Sequence, residues 1–156
     1  FSVPRSVGQI PLYYNKKAPQ SHDYVEMSAS PLYPFGYGLS YTSFDYSDLH
    51  LSALTPRSFE VSFKVRNTGK YDGEEVPQLY LRDEYASVVQ PLKQLKHFAR
   101  FYLKRGEERE VKFILSEEDF SLVDRNLKRI VEPGTFQIMI GAASDDIRLQ
   151  TKVEIK

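Results

Sequence analysis

The fold is decided by one stretch of the chain, Phe59-Glu60-Val61-Ser62-Phe63-Lys64-Val65-Arg66. Its apolar side chains recur at every second position, so all four lie on one face of a β-strand and the polar side chains lie on the other. The stretch therefore predicts a strand that is buried on one face and solvated on the other.

The same alternation recurs downstream, around Phe113, Ile138 and Val153. Less regular apolar segments at 49–51, 76–81 and 95–103 bring the total to about seven short strands, and only 116–124 resembles a helix, of one turn at most. Several short strands separated by turn residues predict an all-β fold, a two-sheet β-sandwich that begins near Asp45. The side chains predicted to lie inside are Phe59, Val61, Phe63, Val65, Leu79, Leu81, Val111, Phe113, Phe136, Ile138 and Ile140.

Pro77 interrupts the apolar segment at 76–81. Because proline cannot donate a hydrogen bond to a sheet, it predicts an edge strand or a bulge at this position.

The first part of the chain has a different composition: five of the nine prolines lie within the first 36 residues and seven of the eleven tyrosines within the first 46. Proline fixes φ and removes an N–H group, so this part is predicted to be an extended arm. Tyrosine rings suit interfaces, which favours an arm that docks on a larger body. We expect Phe35, Leu39 and Phe44 to anchor its end on the sandwich, with Gly36 and Gly38 allowing tight turns or close approach.

The overall composition limits the function classes. The chain has 156 residues, of which 41% are hydrophobic and 27% charged, and its formal net charge is zero. These values predict one hydrophobic core, no membrane partner and no global field that would attract nucleic acid. The absence of cysteine excludes disulfides, thiolate catalysis and cysteine-ligated metal sites.

Carboxylates occur in pairs or short runs at 74–75, 107–108, 117–119 and 145–146. Hydrolysis of a glycosidic bond needs two converging carboxyl groups, whereas neighbours in a strand point to opposite faces and these runs lie at strand ends and turns. His22, His50 and His97 lack the spacing of metal ligands. We therefore predict no catalytic, cofactor-binding or metal-binding residue and no cofactor.

Binding functions have two sequence features in their favour. Basic residues cluster from Lys93 to Arg105 with aromatic residues between them, which is compatible with nucleic-acid binding but also with a solvated face over a core strand, and zero net charge favours the solvated face. The tyrosines could stack on carbohydrate, although the chain has no tryptophan. An independent module for carbohydrate or, with less support, nucleic acid remains the alternative function.

One motif carries a family resemblance: Tyr33-Pro34-Phe35-Gly36-Tyr37-Gly38-Leu39-Ser40-Tyr41-Thr42-Ser43-Phe44. It resembles the segment that leads into the C-terminal fibronectin type III-like domain of glycoside hydrolase family 3, the β-glucosidase and β-xylosidase family. Residues 4–11 and 13–15 resemble the close of the preceding α/β-sandwich domain of that family. Residues 67–69, 72–76 and 131–134 follow in the family's order, while Pro77 and His97 depart from its usual pattern.

The resemblance implies an immunoglobulin-like, fibronectin type III-like sandwich at 37–156, with 1–36 forming an extended arm, the tail of the preceding domain and the linker. It implies a non-catalytic accessory domain of a retaining enzyme that acts on terminal β-D-glucosyl or β-D-xylosyl residues, with the nucleophile and the acid/base upstream. The expected partners are the catalytic domains of the same chain and, through them, a carbohydrate substrate; the expected roles are bracing, dimerisation or the rim of the substrate entrance. The start at Phe1 without Met is expected of a piece of a longer protein, and the resemblance suggests the periplasm or secretion.

Overall fold

The computed structural model describes residues 2–9, 13–17 and 25–156. Its regular elements are eleven β-strands and one short 3₁₀ helix within those residues, so the all-β prediction is confirmed. The strands are β1 (Phe44–Thr55), β2 (Ser58–Asn67), β3 (Gly73–Glu75), β4 (Gln78–Asp83), β5 (Gln94–Phe98), β6 (Phe101–Leu103), β7 (Glu108–Leu115), β8 (Leu122–Val123), β9 (Arg129–Ile130), β10 (Gly134–Ala143) and β11 (Asp146–Ile155).

Seven of these strands form two antiparallel sheets. The three-stranded sheet has the order β1-β2-β7 and the four-stranded sheet the order β11-β10-β4-β5, while β3-β6 and β8-β9 are small separate pairs. Phe63 of β2 lies opposite Val111 of β7, and Ile138 of β10 lies opposite Leu81 of β4. The sandwich of about seven strands follows from this pairing.

The buried side chains of the two sheets form one cluster, and all eleven residues predicted to lie inside are buried. The 3₁₀ helix, Glu117–Phe120, is the one helical turn that the sequence indicates. It places the Phe120 ring edge-on to Phe59 of one sheet and Phe136 of the other, with ring centroids 5.8 Å and 5.1 Å apart. Full burial of such side chains contributes about 1.5–3 kcal/mol each, so this core is the main source of stability.

Pro77 lies in the break between β3 and β4 and is fully buried. Its carbonyl accepts a hydrogen bond from the Ala99 N–H at 3.2 Å, in the matching break between β5 and β6. Of the two predicted alternatives, an edge strand or a bulge, the structure favours an irregularity, because the following strand β4 lies between β10 and β5. The predicted irregularity is present, because Pro77 lies where the pairing of β3 with β6 is interrupted before β4 pairs with β5.

The arm folds back on itself ahead of β1. Val3 pairs with Tyr33, the Val3 N–H donating to the Tyr33 carbonyl at 2.8 Å. The buried Gln9 carboxamide donates to the Ala29 carbonyl at 3.2 Å and accepts the Arg5 N–H at 2.6 Å. The described arm residues thus lie side by side at 2–9 and 28–33 without forming a regular strand. In the part of the chain that the structure describes, no helix has the length and hydropathy of a membrane span.

Candidate functional site

Aromatic rings attach the arm to the outer face of the four-stranded sheet. The Tyr14 ring stacks on Phe35 with centroids 4.1 Å apart and meets the Tyr80 ring edge-on at 6.0 Å. The Tyr14 hydroxyl accepts the Leu95 N–H at 3.4 Å. Tyr80 is completely buried beneath these rings, and its burial raises the pKa of its hydroxyl. The sequence pattern places Tyr80 on the face opposite Leu79 and Leu81, so its burial depends on the arm.

Gln78 supplies the polar part of the same attachment. Its Nε2 donates to the Ala142 carbonyl at 2.6 Å and to the Gly36 carbonyl at 3.2 Å, and its Oε1 accepts the Tyr80 hydroxyl. Gly36 has φ +80°, and a Cβ there would lie 2.7 Å from Gln78 Nε2. Both the backbone and the close approach require glycine, as the sequence predicts. The prediction for Gly38 is wrong, because a Cβ there would meet nothing within 4 Å and its φ is outside the left-handed region.

Asn67 joins the last residues of the arm to the turn after β2. Its Oδ1 accepts the Thr42 hydroxyl at 2.6 Å and the Gly69 N–H at 3.1 Å, while its Nδ2 donates to the Tyr71 and Leu103 carbonyls at 2.8 Å and 3.2 Å. The side chain is completely buried, and all of its hydrogen-bonding groups have partners. This role of Asn67 was not predicted from the sequence.

The three predicted anchors of the arm behave differently. Phe44 is buried in the core and Phe35 is half-buried against Tyr14. Leu39 is 87% exposed, so its predicted packing on the sandwich is wrong. A hydrophobic side chain in the motif that carries the family resemblance is therefore left in solvent.

Leu39 lines a groove of about 510 Å³ between the arm and the end of β5. Its other apolar walls are Tyr37, Val76, Leu95 and Phe98. Tyr37 and Phe98 are themselves 46% and 66% exposed, so apolar surface of the groove faces solvent. The rest of the lining is partly polar and includes Ser40, Glu74, Glu75, Gln78 and Arg100. We refer to it as the arm groove.

A polar cluster lies beside the arm groove, where β1, β3 and β11 meet. The Tyr46 hydroxyl donates to Glu75 Oε1 at 2.7 Å, and the Arg148 guanidinium lies over the Tyr46 ring and 3.9 Å from the same carboxylate. Burial raises the pKa of Glu75, against the Tyr46 hydrogen bond and the Arg148 charge, which both lower it. Burial and the neighbouring Glu75 raise the pKa of Tyr46 as well.

Each carboxylate run that the sequence singled out has at least one member paired with a cation. Glu74 pairs with Arg100, Glu117 with Arg57, Glu118 with Arg129, Glu108 with Lys64 and Asp146 with Arg148. Glu75 and Asp146 approach each other only across the Arg148 guanidinium. Because this cation occupies the space between them, they do not form an open pair that could flank a scissile bond.

The histidines are separated as well. His50 is exposed on β1, His97 lies 3.4 Å from Asp119, and His22 lies outside the described residues. No group of three or more His, Cys, Asp or Glu side chains that could hold a metal ion is found at 2–9, 13–17 or 25–156.

The basic cluster does not form one positive face. Lys93 donates to the Ser144 carbonyl and Arg100 pairs with Glu74. Lys96 is half-buried, and burial lowers its pKa. These contacts fit the interpretation of a solvated face over a core strand.

Comparison with known proteins agrees with this architecture. The sequence profile of the fibronectin type III-like domain matches residues 75–144. Residues 75–144 therefore form a fibronectin type III-like domain. It corresponds to the C-terminal domain of glycoside hydrolase family 3 enzymes, so the resemblance drawn from residues 33–44 is confirmed.

The relatives that carry this fibronectin type III-like domain are much longer than the chain. It is 44% identical to a β-xylosidase of Formosa agariphila, over 94% of the chain and 22% of that protein, and 42% identical to a periplasmic β-glucosidase of Salmonella typhimurium, over 94% and 21%. A crystal structure of a β-glucosidase from Listeria innocua superposes with a TM-score of 0.87 at 36% identity, over 98% of the chain and 23% of that structure. The chain thus spans about a fifth of the relatives' length and is one domain of a larger protein.

Proposed function

We propose that this fibronectin type III-like domain is a non-catalytic accessory domain of a retaining β-glycoside hydrolase, whose catalytic domains cleave terminal β-D-glucosyl or β-D-xylosyl residues. The observation that carries the proposal is the coverage: the domain matches about a fifth of each relative, and those relatives are β-xylosidases and β-glucosidases. The arrangement of the carboxylates supports it, because Glu75 and Asp146 both contact the Arg148 guanidinium, at 3.9 Å and 2.8 Å.

The proposed role is to brace the catalytic domains of the same polypeptide. Exposed apolar side chains of the arm support this role, because Val7 and Val25 are fully exposed. Exposed apolar surface of this kind marks a contact with another body. We assign 1–36 to the arm, the tail of the preceding domain and the linker, and 37–156 to the accessory domain. A role at the rim of the substrate entrance is compatible with the same division of the chain.

The test compares the full-length protein with residues 1–156 alone on aryl β-glucosides and β-xylosides. We expect hydrolysis only by the full-length protein, while circular dichroism establishes that the excised chain retains its β-sheet. Glu75→Gln and Asp119→Asn in the full-length protein should leave the chemistry intact. Hydrolysis by the excised chain that survives repurification, and that disappears when Glu75→Gln or Asp119→Asn is made in that excised chain, would contradict the proposal.

A further inference from the structure

We infer that the arm groove is the contact surface for an apolar segment of the catalytic part of the same polypeptide. The inference rests on the proposed function and names the face of the domain that performs it. It concerns the surface formed by Tyr37, Leu39 and Phe98.

The first step is the exposure of these side chains. Leu39 is 87% exposed and Phe98 66%, and both line one concave surface. Phe98 is the last residue of β5, which is an edge strand of the four-stranded sheet. An apolar lining of this kind in a soluble domain marks an interaction site more often than a free surface.

The second step concerns the chemistry of the occupant. The charged groups that line the groove have partners, because Glu74 binds Arg100 and Glu75 binds Tyr46 and Arg148. The Gln78 carboxamide is occupied by Gly36, Ala142 and Tyr80. Because these polar groups already have partners, the groove favours an apolar side chain over an ion or a polar sugar face.

The third step identifies the source of that side chain. About four fifths of each relative lies outside the region that this chain matches. The groove wall from Phe35 to Ser40 belongs to the segment that connects the arm to the sandwich. A surface beside this connection is close to the rest of the polypeptide, at a high effective concentration of it, which favours an intramolecular occupant over a separate partner.

Hydroxyl-radical footprinting of the full-length protein tests the inference, with a matched internal control. Leu39 and Leu127 are the same residue type and are both 87% exposed in this domain, and Leu127 lies outside the arm groove. We expect Leu39 to be oxidised several-fold more slowly than Leu127. Phe98 should be oxidised several-fold more slowly in the full-length protein than its 66% exposure in this domain allows, with the exposed Tyr85 as the reference for reactivity. Equal oxidation of Leu39 and Leu127 would overturn the inference.

A variant pair gives a second readout in the full-length protein. Leu39→Asp should accelerate proteolytic release of the C-terminal domain several-fold, because it places a charge in an apolar contact, whereas Leu127→Asp should not. Equal release from the two variants would count against the arm groove as the contact.

Two other occupants are distinguishable. Protection of Leu39 that disappears on dilution, together with a change from dimer to monomer in light scattering, would assign the groove to a second copy of the chain and overturn the inference. Protection that appears only when cello-oligosaccharide is added would assign it to carbohydrate, with the same consequence.

A full-length protein that hydrolyses β-glycosides although Leu39 is reactive would leave the proposed function standing, whereas a full-length protein without glycosidase activity would contradict the proposed function itself.

Discussion

Replacing Asn67 by Ala should destabilise the domain by about 3–5 kcal/mol. The bond from Nδ2 to the Leu103 carbonyl is fully buried, and leaving that carbonyl without a partner costs about 1–3 kcal/mol. The Thr42 hydroxyl and the Tyr71 carbonyl are only partly buried and regain water, so each lost bond costs about 1 kcal/mol. The Gly69 N–H adds little, because it also donates to the Ser43 carbonyl at 3.2 Å.

Urea unfolding followed by far-UV circular dichroism measures this loss. Asn126→Ala is the matched control, because Asn126 is exposed and its side chain contacts only Asp124 in the same turn; a surface change of this kind is within about 0.5 kcal/mol. Amide exchange should rise at 40–44 in the Asn67 variant, since Thr42 loses its partner. A loss below about 1 kcal/mol, or one equal to that of Asn126→Ala, would refute the reasoning that a buried, fully bonded side chain fastens the arm.

Three further changes test the attachment of the arm and the polar cluster. Tyr14→Ala should lower the free energy of unfolding by about 1–3 kcal/mol and raise amide exchange at 31–37. Tyr13→Ala, at the neighbouring 68% exposed position, should change little, and equal effects of the two variants would contradict ring stacking as the cause. Gly36→Ala should cost at least about 1–2 kcal/mol because of its positive φ, and Gly38→Ala less than about 0.5 kcal/mol, with denaturant unfolding as the measurement and the reverse order as the contrary result. Folding raises the pKa of Glu75, so the folded state binds this proton more tightly than the unfolded state does. The free energy of unfolding of the wild type, relative to that of Glu75→Gln, should therefore fall as the pH rises through and above the ordinary pKa of 4.5. A difference that stays constant or grows in unfolding experiments across this range would contradict the burial of the carboxyl group.

The sheets were predictable from the sequence because side chains in a strand alternate between two faces. Residues 59–66 show this alternation without exception, and β2 spans them with Phe59, Val61, Phe63 and Val65 buried. The one helical turn was predictable too, because 116–124 lacks the alternation. These features depend on neighbours within a few positions, which a single sequence contains.

Features that depend on contacts between distant segments were not predictable. Tyr14 packs on Tyr80 from 66 positions earlier in the chain, and Thr42 donates to Asn67 from 25 positions earlier. No local pattern encodes those contacts. Leu39 was expected to be buried on hydrophobicity alone, whereas the sandwich has no surface that covers it. For Pro77, the missing N–H indicated an irregularity, but its position within the sheet depended on the order of strands that lie far apart in sequence.

Covalent trapping tests the central claim most directly, that this domain accompanies the chemistry and does not perform it. The full-length protein is inactivated with a 2-deoxy-2-fluoro glucoside or xyloside, which leaves the sugar on the nucleophile of a retaining glycosidase, and the labelled peptide is identified by mass spectrometry. We expect a label outside residues 1–156, with Glu75 and Asp146 unmodified. A stoichiometric label on any carboxylate of this domain would contradict it.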